Sequence, residues 1–225
     1  MQFDDVMQAL EANGTEQNRK IYKRHGVEEA LFGVSTANVK VLQKKIKKDH
    51  ALAVQLWESG NYDARVLASM IIDPAQITEA QIDRWIGEVK GYPTTDYLAG
   101  IVAKTPFALK KMAAWTQSDD EWIGYAGWGL LSRIAYDDTA LPDSFFEPYL
   151  HRIEAEIHTA KNRVRHGMNG VLIALGVRSD GLRPQAEGVA GRVGKVVVDH
   201  GQTDCVTPDA LQYMRKIRDH REKKA

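Results

Sequence analysis

The stretch LWESGNYDARVL, residues 56–67, indicates the fold: a helix that ends in tryptophan is followed by a polar turn and a second apolar helix. A related pattern occupies residues 114–126, AWTQSDDEWIGYA, and a shorter turn-then-apolar segment occupies residues 160–168, AKNRVRHGM. A single helix hairpin cannot bury its apolar face, whereas stacked hairpins complete each other's cores. The repeats predict an all-α protein, an α-solenoid of HEAT-like antiparallel helix pairs. Because the repeats match loosely, an irregular helical bundle stays open as the alternative.

Helix signals recur along the 225 residues and predict about a dozen helices in a single domain spanning residues 1–225. The third predicted helix is capped by Ser35 or Thr36 and runs to about Lys48. A later one is capped by Thr94 or Thr95 and runs to about residue 103. The one cluster of β-branched residues, at 196–198, is too short to carry a sheet.

Composition limits the compartment and the cofactors. The single cysteine, Cys205, can form neither an internal disulfide nor a zinc-binding pair, which favours a reducing compartment. No apolar run approaches the roughly 20 residues of a membrane span, and the acidic N-terminus is unlike a secretory signal. We therefore expect a cytoplasmic protein with no membrane partner, no metal and no other cofactor.

Basic side chains form two candidate phosphate-binding clusters, although Lys+Arg and Asp+Glu both total 30. The third predicted helix carries lysines at i, i+4, i+7 and i+8, opposite its apolar residues. The second cluster lies at a predicted helix N-terminus, where cations oppose the macrodipole and an anionic ligand would explain them. A solvated basic face is the alternative for the first cluster. The residues are Lys40, Lys44, Lys47 and Lys48 in the first cluster, and Lys161, Arg163 and Arg165 in the second.

Two further segments could carry chemistry. In YPTTDY, residues 92–97, Asp96 is expected in the first turn of a helix and close to Tyr92. It is either an ordinary helix-start aspartate or a carboxylate beside an aromatic ring in a cleft. Trp122, Tyr125 and Trp128 follow one another at about one helical turn, as a core stripe or as a surface that a ligand approaches.

A family resemblance rests on the order and spacing of several motifs between residues 22 and 178. They are FGVST (32–36), AVQLWE (53–58), ARVLA (64–68) and the segments 92–99 and 115–131. The chain resembles the DNA alkylation repair family, the HEAT-like 3-methyladenine and 7-methylguanine DNA glycosylases called AlkD. The resemblance implies a superhelix with a concave basic groove that grips double-stranded DNA through its backbone. It also implies an enzyme that removes positively charged alkylpurines from DNA. An aspartate would stabilise the cation that develops on the sugar as the glycosidic bond breaks.

Carried over by residue, the family's catalytic aspartate falls on Asp96 and the tryptophan one turn before it falls on Tyr92. The family's phosphate-holding arginine falls on Tyr125, and its last aromatic residue falls near Gly170, so two supports of the carboxylate are missing. The resemblance implies a DNA-binding protein, an alkylpurine glycosylase with a degraded active site, whose DNA groove includes Trp122, Tyr125 and Trp128. We expect this protein to be a monomer. A non-catalytic protein-interaction scaffold on the same solenoid is the alternative.

Overall fold

The computed structural model of the protein describes residues 1–223 and is all-helical over that range, which confirms the predicted all-α class. Residues 224 and 225, which the expected single domain included, lie outside the described residues. Thirteen α-helices and one 3-10 helix (Pro74–Gln76) occupy residues 1–223. The α-helices are α1 (Phe3–Ala12), α2 (Glu16–Arg24), α3 (Thr36–Ile46), α4 (His50–Glu58), α5 (Tyr62–Ile71), α6 (Glu79–Glu88), α7 (Tyr92–Val102), α8 (Ala108–Trp115), α9 (Glu121–Asp137), α10 (Asp143–Glu156), α11 (Asn162–Gly176), α12 (Leu182–Val193) and α13 (Ala210–Glu222).

Many helices begin where a short polar side chain caps them. The side chains of Thr15, Ser35 and Asn61 each accept a hydrogen bond from the backbone N–H three residues on. Such a cap satisfies one of the free N–H groups of the first turn and stabilises a helix by about 1 kcal/mol. Local sequence therefore sets most of the helix starts.

The end of α3 differs from the sequence prediction. The helix ends at Ile46, and Lys47 takes a φ of 66° and a ψ of −129°. The chain turns there because Asp49 caps α4, its side chain accepting from the Leu52 N–H at 3.1 Å. Lys47 and Lys48 therefore lie in a link, and the predicted lysine stripe on one continuous helix is wrong beyond residue 46.

The start of α7 also differs. The helix begins at Tyr92, after Gly91 at a φ of 113°. Thr94 and Thr95 do not cap α7 because they are its third and fourth residues, and the Thr95 hydroxyl donates back to the Gly91 carbonyl at 2.9 Å. Asp96 is the fifth helical residue, beyond the first turn, so the predicted macrodipole stabilisation of its carboxylate is wrong.

The described chain divides into two compact units. The first comprises residues 1–109 with 201–203, and the second comprises residues 110–200 with 204–223. In the first unit, α5 is the central helix and packs against α3, α4 and α7. Trp57 and Trp85 stack in its core with ring centroids 5.1 Å apart, and the guanidinium of Arg65 lies 5.5 Å from the Trp57 ring.

The second unit is built on the contact between α9 and α11. A Cβ at Gly167 would lie 2.8 Å from the Trp128 Cβ, and one at Gly127 would lie 2.4 Å from the Thr116 nitrogen. Glycine at both positions thus allows α9 to approach the turn after α8 and α11 to approach α9. The small residues of the 122–128 segment serve helix packing.

Residues 194–200 run beside the start of α11 without regular structure. Side chains of the neighbouring helices bond to the backbone of this segment: Arg165 donates to the Val197 carbonyl at 2.7 Å. The Asn162 amide donates to the Asp199 carbonyl at 2.8 Å and accepts from the Asp199 N–H at 2.7 Å. The segment is therefore held through its main chain, and the buried side chains of Val196 and Val198 also anchor it.

Within residues 1–223, none of the helices combines the length and the apolar character that a membrane crossing requires. Over the same residues, no three His, Cys, Asp or Glu side chains are grouped so that they could hold a metal ion.

Candidate nucleic-acid interface

The first basic cluster is exposed. Lys40 and Lys44 project from α3, and Lys47 and Lys48 follow in the link to α4, all four in the exposed class. Among the described residues, Lys40, Lys44 and Lys47 form no ion pair. Lys48 lies near Asp73, whose pKa is lowered first by hydrogen bonds from Gln76 and Ala75 and to a lesser extent by this lysine. The cluster therefore presents cationic charge that the fold does not use.

Helix α2 adds exposed cations in the same unit. Lys20, Lys23 and Arg24 are exposed on it, whereas Arg19 is paired with Glu16 at 2.9 Å. We call α2 and α3 together the basic helix pair. Most of its cations have no carboxylate three or four residues away on the same helix, and such ion pairs are what stabilises a helix surface. Helix stability therefore does not explain these charges.

The second basic cluster lies at the start of α11, as predicted. Lys161 is the N-cap residue, and its ammonium donates to the Asp119 carbonyl. Arg163 is the second helical residue and its N–H donates to Glu121 at 2.7 Å. Arg165 donates to the carbonyls of Val197 and Ala160, at 2.7 and 3.0 Å. The backbone contacts of Lys161 and Arg165 give both side chains a structural role, and phosphate binding by the cluster stays a prediction.

Helix α7 places Asp96 one turn after Tyr92, on the same face, and both side chains are half-buried. The Tyr92 hydroxyl is hydrogen-bonded to Nδ1 of His25 at 2.7 Å. The first turn of α7 is tied to the preceding part of the unit, because the Thr94 hydroxyl donates to Glu29 at 2.6 Å. Arg65 lies 3.5 Å from the same carboxylate oxygen. The first turn of α7, which carries Tyr92, is thus positioned by these polar contacts, and Asp96 follows one turn later on the same helix.

Beside Tyr92 lies a cavity of about 260 Å³. Helix α2 contributes Tyr22 to its wall, the start of α5 contributes Tyr62, and α7 contributes Tyr92 and Tyr97. Helix α3 contributes Thr36 and Val39 from its N-terminal end. We call it the tyrosine cavity. The remaining lining residues are Ile21, His25, Val27, Val34, Asp63, Val66 and Pro93.

The phenols of the tyrosine cavity are neutral hydrogen-bonding groups. The Tyr22 hydroxyl donates to the Val34 carbonyl at 2.7 Å. Burial is the largest cause of the raised pKa of Tyr22, Tyr62 and Tyr97, and neighbouring Asp63 or Asp96 raises it further. The rings therefore offer apolar faces and neutral hydroxyls at physiological pH.

Asp63 holds one wall of this cavity. Its carboxylate is 1% exposed and accepts from the backbone N–H groups of Phe32, Gly33 and Val34, at 2.6, 3.0 and 2.8 Å. The loop that it binds leads directly into α3, so the carboxylate also sets where the lysine helix begins.

The aromatic stripe of α9 is largely core. Trp128 is 0% exposed and packs with Tyr149 edge to face and with the guanidinium of Arg152 over its ring. A side chain with no exposed surface contacts nothing outside the fold, which corrects the expectation that Trp128 lines a DNA groove. Tyr125 is 5% exposed and lies against His166, with ring centroids 6.1 Å apart. Trp122 is half-buried near the start of the helix.

The two departures from the family pattern differ in their surroundings. At Tyr125 the site is filled, since a Cβ at Gly167 would already lie 3.3 Å from the Tyr125 ring. At Gly170 an added Cβ would meet nothing within 4 Å. The missing aromatic residue thus leaves open space, whereas the missing arginine is replaced by a packed phenol.

Sequence reasoning missed the residues that surround Tyr92, namely His25, Tyr22, Tyr62 and Tyr97. Tyr22 lies in α2 and His25 directly after it, whereas Tyr62 lies in α5 and Tyr97 in α7. Residues on separate helices share no sequence spacing that would predict their proximity. The signal available was compositional, because three of the eight tyrosines fall in two short motifs, YDA at residue 62 and YPTTDY at residue 92.

Comparison with known proteins places this geometry in a family. The family model described as DNA alkylation repair enzyme matches residues 6–186. Uncharacterised proteins of Listeria monocytogenes and Listeria innocua are 35% and 34% identical over 223 residues, covering 96% of this chain and 96% of each relative.

A solved structure superposes with a TM-score of 0.89 at 32% identity, covering 98% of this chain and 95% of the other. It belongs to a family of proteins related to the HEAT-like repeat DNA glycosylases with affinity for branched DNA structures. The predicted HEAT-like solenoid class is confirmed by this match. The chain belongs to the DNA alkylation repair family and has the fold of its HEAT-like branch.

Proposed function

We propose that this protein binds DNA through phosphate contacts, without reading base sequence, and that branched DNA is among its ligands. The observation that carries the proposal is the basic helix pair, whose exposed lysines on α3 have no ion-pair partner among residues 1–223 in a chain of zero formal net charge. Lysines left without carboxylates suit a polyanion, because each contact releases condensed counterions from DNA. The affinity of the structural relative for branched DNA supports the choice of ligand.

The test is a salt titration of DNA affinity by fluorescence anisotropy, with a three-way junction and a linear duplex of equal length. Lys40→Glu combined with Lys44→Glu should weaken binding to both DNAs at least tenfold, and should lower the salt dependence by about two ions. Lys195→Glu combined with Lys216→Glu makes the same charge change at exposed positions outside the basic helix pair. Equal losses in both double variants would refute a site on α3.

Base excision of N3- or N7-alkylated purines is the second candidate. It is supported by Asp96, which α7 places half-buried and one turn from Tyr92, as the family pattern requires. In this scheme the carboxylate would stabilise the cation that develops on deoxyribose as the glycosidic bond breaks. The packed Tyr125 and the open space at Gly170 mean that two supports of such a transition state are absent.

Release of free base from duplex DNA that contains 7-methylguanine tests this chemistry. Release by the wild type that Asp96→Asn abolishes would establish a glycosylase. If the wild type releases no base while it binds the same DNA, the protein keeps the DNA grip of the family and lacks its excision chemistry. A DNA ligand is also consistent with the expected cytoplasmic location, and the monomeric state is a prediction that sedimentation can test.

A further inference from the structure

We propose that the tyrosine cavity takes up one unpaired nucleobase of the bound DNA. This inference deepens the proposed DNA binding and depends on it. It gives the first unit a physical means of distinguishing branched from continuous duplex DNA, because the arms of a junction meet where bases can lose their pairing partners.

The lining of the cavity has the chemistry that an unstacked base requires. Tyr22, Tyr62 and Tyr97 form a connected set of rings, with centroid distances of 5.3 Å and 6.4 Å for the successive pairs. Tyr92 and His25 add a second pair of rings at 6.4 Å. Proteins that bind single strands stack bases on such aromatic side chains without demanding a particular sequence.

The size and access of the cavity suit a single ring system. Its volume of about 260 Å³ lies below the range of about 300–1,000 Å³ that is typical of pockets for drug-sized ligands. Tyr22, Tyr92, Pro93 and Tyr97 are only half-buried, so the cavity opens to solvent along α2 and α7. A base can enter from outside, whereas a larger organic ligand would not fit.

The charges around the opening determine which ligand the cavity selects. On α2, the lining residue Ile21 lies three residues before the exposed Arg24. On α3, the lining residue Thr36 lies four residues before the exposed Lys40. Each spacing puts the lining residue and the cation on the same face of the helix. An apolar aromatic cavity flanked by cations on two helices matches a nucleotide, whose flat base is apolar on its faces and whose phosphate is anionic.

Asp63 does not oppose this ligand. Although its carboxylate lines the cavity, the three backbone N–H groups of residues 32–34 bond to its two oxygens. The charge is thus compensated by the loop, and the aromatic faces of the cavity determine its binding chemistry.

The experiment places 2-aminopurine, a fluorescent adenine analogue, at an unpaired position in the branch of a three-way junction. The same analogue within a continuous duplex is the reference DNA. Wild-type protein should quench the analogue in the junction and not in the duplex, because the base stacks on a tyrosine ring only when it is unpaired.

Two matched pairs of variants identify the rings. Tyr22→Leu should abolish the quenching and weaken junction binding roughly tenfold, a loss typical of one base stack. Duplex affinity, which also reports that the unit is folded, should stay within about twofold of the wild type, since the basic helix pair supplies it. Tyr22→Phe keeps the ring and should keep the quenching, and Tyr92→Leu with Tyr92→Phe repeats the comparison on α7.

The outcomes separate this inference from the proposed function. Junction and duplex binding without quenching, or quenching that survives both leucine variants, overturns the base site and leaves DNA binding intact. If the wild type binds neither DNA, both proposals fail, and an aromatic side chain of a protein partner becomes the occupant to examine.

Discussion

Replacing Asp63 by asparagine removes one charged oxygen from the centre of the first unit while it preserves the shape of the side chain. The carboxylate, 1% exposed, accepts three backbone hydrogen bonds at 2.6, 3.0 and 2.8 Å, two of them through Oδ2 and one through Oδ1. An amide has one oxygen, so at least one buried N–H of residues 32–34 would face an NH₂ group instead of an acceptor. An unsatisfied buried donor costs about 1–3 kcal/mol, and the remaining bonds lose their charge assistance, about 0.5–1 kcal/mol each. We expect the free energy of unfolding to fall by about 3 kcal/mol.

Urea denaturation followed by circular dichroism measures this change, which should lower the transition midpoint by about 1 M or more. Asp73→Asn is the control, because Asp73 also accepts a backbone N–H, from Ala75 at 3.2 Å, but is only half-buried at the start of the 3-10 helix. Its cost should stay below about 1 kcal/mol. An Asp63→Asn protein whose stability is within about 0.5 kcal/mol of the wild type would refute the assignment of Asp63 as the residue that fixes the loop before α3.

Three further predictions follow from single residues. Gly170→Ala should stabilise α11 by about 0.5–1 kcal/mol, because the added Cβ meets open space. Gly127→Ala should destabilise the protein, because the added Cβ would lie 2.4 Å from the Thr116 backbone nitrogen. Thermal denaturation of the two variants measures both effects. Burial lowers the pKa of His166 to about 4, below its ordinary 6.5, so the unfolded chain binds the proton more readily and stability should fall as the pH falls from about 6.5 to 4. That fall should be shallower in His166→Gln, as urea midpoints at several pH values would show. Lys47→Gly should raise stability by up to about 1 kcal/mol by relieving its positive φ, yet should weaken DNA binding in the anisotropy assay because a cation is lost.

The sequence predicted the elements that depend on neighbours within a few residues. Ser35, one of the two predicted caps, accepts from the Asn38 N–H and starts α3. Helix α1 ends at Ala12, just before Asn13 and Gly14, and Thr15 caps α2, so local sequence accounts for these boundaries as well. Two predicted boundaries are wrong for different reasons. Helix α3 ends at Ile46 because Asp49 caps the next helix, a competing local signal. Thr94 does not cap α7 because the helix begins at Tyr92, and its hydroxyl donates to Glu29, 65 residues away.

The candidate site was predictable only in part because distant partners decide the rest. Tyr92 and Asp96 are four residues apart, which predicts that they lie one turn apart on the same helix, and both lie on α7 in the structure. The role of Asp63 depends on N–H groups about 30 residues earlier, and nothing in its local sequence distinguishes it from an ordinary helix-start aspartate. Trp128 and Tyr125 were ambiguous because an apolar stripe has the same spacing whether a neighbouring helix or a ligand covers it.

The segment 194–200 is held through main-chain atoms, by Arg165 at the Val197 carbonyl and by Asn162 at the backbone N–H and carbonyl of Asp199. These hydrogen bonds do not depend on the outward side chains, of which Val197 is 61% exposed, whereas Val196 and Val198 are buried. Substitutions at the outward positions should therefore leave the course of the segment unchanged, while substitution of Arg165 or Asn162 should loosen it. Evolution can vary the chemistry displayed along this stretch at little structural cost, so that relatives sharing one scaffold can present different surfaces there.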